Sequence, residues 1–72
     1  MVSYAIIKIF TQIDGDTKEA LALLIKPYIV KAFYTPKNYL VLITEESNFN
    51  KIADILDLFD INYTSIKVEC EQ

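Results

Sequence analysis

The chain has no arginine, no histidine and no tryptophan, and only one glycine, one cysteine and two prolines among 72 residues. Each scarcity removes a class of chemistry. Without histidine there is no Ser-His-Asp triad, and one cysteine without histidine cannot assemble a tetrahedral zinc site. A single glycine, Gly15, cannot supply a phosphate-cradling loop. The lone thiol, Cys70, has no internal partner for a disulfide, which points away from an oxidising compartment. Seven lysines stand against ten carboxylates, for a net charge of -3. That balance lacks the attraction to phosphate on which autonomous nucleic-acid binding depends. No apolar run approaches the roughly 18 residues of a membrane span, and Met1-Val2-Ser3-Tyr4 lacks the charged start of a secretion signal. A cytoplasmic protein with no membrane contact is the expectation.

What is present is apolar. Hydrophobic residues make up 53% of the chain and charged residues 24%, which is the composition of a folded domain and not of a tail or linker. The length suits one α+β domain over residues 1–72. A chain this short buries only about 60% of its unfolded surface, so a mean hydropathy of +0.25 exceeds what one small core requires. The surplus is expected to meet a partner.

The segment Val2 to Thr11 (VSYAIIKIFT) is rich in β-branched and aromatic residues and ends at the turn-forming Asp14-Gly15-Asp16, as a strand does. Both of its alternating residue sets are mainly apolar, so neither face is marked for solvent. Asp16, with Glu19 three residues on, reads as the cap of a helix from Thr17 to Lys26. Ala20, Leu21, Leu24, Ile25 and Tyr28 fall at its apolar spacing, and Pro27 discourages its continuation. Ile29 to Thr35 and Tyr39 to Thr44 read as strands joined at Pro36-Lys37-Asn38. The first of these carries Lys31 and reads as an edge, while the second is apolar on both faces.

Ser47 or Asn48 reads as the cap of a second helix, with Phe49, Ile52, Ala53, Leu56 and Phe59 as its apolar stripe. Beyond it the pattern supports two structures. Thr64, Ile66, Val68 and Cys70 alternate with Tyr63, Ser65, Lys67 and Glu69 as in an edge strand. Yet Phe49, Ile52, Leu56, Phe59, Tyr63, Ile66 and Cys70 also recur at steps of 3 and 4, which suits one long helix. The strand is preferred over residues 61–69, because Asp60, Ile61, Asn62, Thr64 and Val68 are poor helix formers.

The order β-α-β-β-α-β predicts a ferredoxin-like plait: a four-stranded antiparallel sheet with both helices on one face, unless the last strand instead continues the second helix. In such a plait water meets the other face, and central strands should alternate apolar with polar. These do not. The expected contact surfaces are therefore the open sheet face, with Tyr4, Ile6, Phe10, Tyr39, Val41 and Ile43, and the apolar edge of the second helix, with Leu56, Phe59 and Tyr63. The residues offer no catalytic group, cofactor site or metal site. The carboxylate pairs Asp14/Asp16, Glu45/Glu46 and Asp54/Asp57 are assigned to turns and solvated helix faces. Strand aromatics invite comparison with RNA-recognition domains, but the charge is wrong and the aromatic-glycine motif of those domains is absent.

Tyr4-Ala-Ile-Ile-Lys-Ile-Phe10, Ala20-Leu-Ala-Leu-Leu-Ile-Lys-Pro27 and Asn38-Tyr-Leu-Val-Leu-Ile43, followed by the second helix, resemble the small dimerising subunit of the KEOPS tRNA-modifying complex. Leu24-Ile-Lys-Pro27 stands where that family has an Ala-Leu-x-Pro type helix end, although Tyr28 replaces the polar residues that follow it there and the hairpin arginine is missing. The resemblance implies a non-catalytic accessory subunit that forms a homodimer, or a heterodimer with a paralogous subunit, and docks on a catalytic subunit that modifies tRNA. It also implies a long second helix. Thr64-Ser-Ile-Lys-Val68 as a last strand instead resembles ligand-sensing domains of the Lrp/AsnC type, which bind a small molecule at a dimer interface, although Thr35-Pro-Lys-Asn38 replaces their glycine-containing acidic loop. A fourth strand favours the second resemblance and a continuous helix the first.

Overall fold

The computed structural model describes residues 2–70. Strand β1 spans Val2–Ile9, helix α1 Gly15–Ile25, β2 Ile29–Tyr34, β3 Leu40–Glu45, helix α2 Phe49–Leu58 and β4 Tyr63–Cys70. One-turn 3-10 segments, Lys26–Tyr28 and Glu46–Asn48, lead into β2 and α2. The four strands form one antiparallel sheet in the order β2-β3-β1-β4, the ferredoxin-like plait. The apolar strands β1 and β3 are central, as both of their faces demand, and β2 and β4 are edges.

Register fixes which side chains share a face. Ile6 lies opposite Ile43 on β3 and Ile66 on β4, while Ile9 lies opposite Leu40 and Tyr63. The odd-numbered residues of β1, Ala5, Ile7 and Ile9, consequently point with Leu40, Leu42 and Thr44 toward the helices. There they meet Leu21 and Ile25 of α1, Ile52 and Leu56 of α2, and Ile61 in the core. Among the described residues Thr44 is the one buried polar side chain, and its hydroxyl donates to the Tyr28 carbonyl at 2.6 Å, which removes the penalty of an unpaired group.

Helix α1 begins two residues before its expected start. Its cap is Asp14, whose Oδ1 accepts from the Thr17 amide at 2.7 Å, so Asp16 lies inside the first turn and the expected Asp16–Glu19 capping box does not form. The core face is narrower than expected, with Tyr28 packed against the core beyond the helix end. Leu21 and Ile25, one helical row, are buried, whereas Ala20 and Leu24 are exposed. Helix α2 is entered through the 3-10 turn, with no side-chain cap from Asn48. Its stripe behaves as expected, with Ile52 and Leu56 fully buried.

The end of α2 resolves the ambiguity over the last segment. Asp60 adopts a left-handed conformation, φ 57°. Its amide donates to the Asp57 carbonyl and that of Ile61 to the Leu56 carbonyl, both at 3.0 Å. This is a Schellman stop, with Ile61 packing back into the core beside Leu56 as such motifs favour. The chain reverses and leaves as β4. The Asn62 amide donates to Thr11 Oγ1 at 2.9 Å, which ties the start of β4 to the end of β1. A second left-handed residue, Asn38 at φ 66°, closes the β2–β3 hairpin after Pro36 and Lys37, its amide donating to the Thr35 carbonyl at 2.8 Å.

Two outcomes test these local devices. Asp60→Gly removes the Cβ that opposes the left-handed conformation and should raise stability by about 1 kcal/mol, and Asp60→Val should lower it, both read from urea unfolding midpoints. The Thr17 amide, and after it the Thr17 hydroxyl, hold the Asp14 carboxyl below its ordinary 3.8. A lowered folded pKa gives stability that is complete above pH 3.8 and is lost as pH falls through the depressed value. The gap in melting temperature between wild type and Asp14→Ala should therefore be largest near about pH 7 and close in stronger acid.

Candidate interface on the open sheet face

The face of the sheet away from the helices is arranged in rows. The central row runs Lys31, Ile43, Ile6, Ile66 across all four strands. On one side of it lies the row Phe33, Val41, Lys8, Thr64, and on the other Glu45, Tyr4, Val68. Neither helix reaches these side chains. The three isoleucines thus form an uninterrupted aliphatic bar on the uncovered side, with Ile66 62% exposed.

Charge on this face is sparse: Lys31 ends the central row at the β2 edge, and Lys8 and Glu45 stand on opposite sides of that row. Lys8 lies at one end, its Nζ 5.0 Å from the centroid of Tyr39 and 5.4 Å from that of Phe10, and the two rings meet edge to face at 5.2 Å. An ammonium over aromatic faces is held in place without a carboxylate. Glu45, at the opposite end, is exposed and in no ion pair, since Lys67–Glu46 at 3.0 Å is the one ion pair among the described residues. A shallow recess of about 160 Å³ lies between Ile6, Lys8, Val41, Thr64 and Ile66.

Six of the nine residues expected at contact surfaces fall on this face or at its end. Tyr4, Ile6, Ile43 and Tyr39 are half-buried, Phe10 is exposed, and Val41, flanked by Lys8 and Phe33, is reduced to 6% exposure. The other three belong to the opposite side. Leu56 is fully buried on the core side of α2 and offers no surface, while Phe59 and Tyr63 are half-buried. Phe59 and Tyr63 pack against that core, with Tyr63 edge to face on Phe49 at 6.4 Å. Sequence reasoning missed Ile66, Val68, Phe33 and the Lys8–Glu45 separation. The signal lay in strand parity once β4 is accepted as a strand, because Ile66 and Val68 must then share a face with Ile6 and Tyr4.

The carboxylate pairs have structural surroundings. Asp14 caps α1, Glu46 pairs with Lys67, and Asp54 and Asp57 lie near Tyr63. No cluster of three metal-ligating side chains occurs among the described residues, and no helix there is long and apolar enough to cross a membrane. Burial, reinforced by the negative charges of Asp57 and Asp54, raises the Tyr63 phenol above its ordinary 10.0. Its contribution to stability is accordingly complete below pH 10.0 and lost as pH climbs through the raised value. In an ultraviolet titration one tyrosine should ionise after the others, and Asp57→Asn should bring it closer to them.

No family model, no curated protein and no solved structure matches this chain.

Proposed function

We propose that the protein is a non-catalytic assembly module that pairs with a second copy of itself through the open face of its sheet. The observation that carries this reading is the bar of Ile43, Ile6 and Ile66, in direct register and covered by neither helix. By strand spacing and rise the face measures about 19 Å by about 27 Å, of the same order as the ~800 Å² per partner of a standard interface. Even partial further burial of these side chains, at roughly 25 cal/mol per Å², is large against the few kcal/mol that a domain this size has in reserve.

The distribution of charge favours a second copy as the occupant. Tyr4 and Glu45 lie two residues to one side of the Ile6 row and Lys8 two residues to the other, about 7 Å each way. A two-fold axis across the strands at the Ile6 row lays isoleucine on isoleucine and brings Glu45 of each copy over the Val41–Lys8 region of the other. Opposite charges then meet twice, Glu45 of each copy beside Lys8 of the other, while the Lys31 side chains, which end the same row at the exposed β2 edge, face each other at the rim.

Of the two resemblances, the fourth strand favours the sensor-like plait, since the KEOPS-type subunit implies a second helix running on through Tyr63 and Ile66 where this chain turns at Asp60. Docking on a tRNA-modifying catalytic subunit, or pairing with a paralogue, keeps the support of the first two-thirds of the chain only. The single exposed thiol, Cys70, suits a reducing, cytoplasmic setting.

Sedimentation equilibrium should return a dimer. Ile6→Glu, on the surface of a folded protomer, buries an unpaired charge in the dimer and should weaken association by at least about 100-fold without loss of the thermal transition. Lys8→Glu and Glu45→Lys should each weaken it, and the double exchange should restore it. A wild-type protomer that stays single at high concentration overturns the reading.

A further inference from the structure

On the other side of the molecule, α1 leaves the edge strand β2 uncovered. Only Leu21 and Ile25 of α1 reach the core, and β2 is exposed from Val30 to Tyr34. The small side chains Ala22 and Ala32 stand on the two walls of the resulting trough, of about 210 Å³, which is floored by Leu40 and Leu42 and bounded at one end by Ile25. At its other end the trough adjoins a second recess of about 380 Å³, under the β1–α1 loop and the hairpin, where Thr11, Gln12 and Asn38 supply polar groups. Lys18 and Tyr34 line both. The Lys18 Nζ sits 4.4 Å from the Tyr34 ring centroid, at the boundary between the apolar and polar parts. It has no carboxylate partner among the described residues. Thr11 Oγ1 already accepts from the Asn62 amide, which leaves its O–H free to donate outward.

An apolar trough ending at a fixed ammonium, with hydroxyl and amide donors beyond it, is complementary to one kind of molecule. We infer that the cleft between α1 and β2 binds a small amphipathic monocarboxylate, with its hydrocarbon tail between Ala22 and Ala32 over Leu40 and Leu42 and its carboxylate on Lys18. The volume sets the size, since about 210 Å³ is below the roughly 300 Å³ at which sites for drug-sized ligands begin. The charge sets the head group, because a cation held by an aromatic ring gains a hydrogen-bonded counter-ion without giving up the ring. The cleft is on the helix-bearing side and does not involve the Ile6 row, so it stands whether or not the protein dimerises.

The test is amide NMR titration of the full chain with straight-chain carboxylates. Butanoate, hexanoate and octanoate should perturb amides of α1 and β2, with affinity rising by about fourfold per added methylene until the trough is full. Lys18→Met should weaken octanoate binding by at least about tenfold, and Ala22→Leu, an exposed helix position that keeps the fold, should abolish it by filling the trough. Octanol and octylammonium should bind at least about tenfold more weakly than octanoate. Equal binding of octanol overturns the carboxylate assignment, and so does insensitivity to Lys18→Met. Perturbations confined to the open sheet face, or none at all, overturn the site.

Discussion

The reversal at Asp60 determines what kind of surface this protein has. Were α2 to run on through Tyr63 and Ile66, β1 would be a sheet edge and the apolar side chains of the last segment would line a helix. Because the chain takes one left-handed residue, closed by the Asp60 and Ile61 amides, it returns antiparallel along the full length of β1. That return adds Ile66 and Val68 to the uncovered face and makes Ile6 the centre of the sheet. Asp is a poor choice for such a conformation compared with glycine, and it is tolerated because Ile61 anchors the far side of the turn in the core.

The two faces of the sheet solve the same problem differently. On the helix side Ile7, Ile9 and Leu42 are shielded by α1, α2 and Ile61. On the open side there is no second layer, and the residues shield one another within the plane: Val41 beside Lys8 and Phe33, Phe10 against Tyr39, and the aliphatic stem of Lys8 leading to an ammonium over both rings. This lateral packing reduces the exposed load below what the bare sequence suggests, since Tyr4, Ile6 and Ile43 are half-buried in a single protomer. It stops short at β4, where an edge strand has a neighbour on one side only, and Ile66 stays largely in water.

How much of this was legible in the residues follows from which signals are periodic. The strands, the hairpin at Pro36 and the stripe of α2 are written in apolar spacing and turn chemistry, and the plait follows from their order. The long-helix alternative was a coincidence of spacing. Tyr63 does continue the α2 stripe in space, on Phe49, but the odd step from Tyr63 to Ile66 puts Ile66 on the opposite face of a strand. Asp14 and Asp16 are equally good caps by composition, and only the path of the loop after Phe10 selects the first. The core face of α1 was legible at Leu21, Ile25 and Tyr28 but not at Ala20 and Leu24, because its apolar content, Leu23 and Leu24 included, is too evenly spread around the helix to mark one side. Leu56 was placed at an interface because a stripe looks the same from sequence whether it meets a partner or its own sheet.

The lysines show how a chain without arginine places its cations. Lys8, Lys18 and Lys51 each lie over an aromatic ring, at 4.4 to 5.4 Å from its centroid, while one lysine, Lys67, forms an ion pair among the described residues. A guanidinium in those positions would seek bidentate carboxylates and cross-link the surface. An ammonium over a ring is held by its stem and by the ring's negative face, and its remaining donors stay free. Lys8 stands at one end of the open face and Lys18 at the mouth of the α1–β2 cleft, so each of these apolar surfaces carries one ammonium positioned by an aromatic ring. That pairing of apolar area with a ring-held cation gives each surface an orientation, which apolar area alone cannot do.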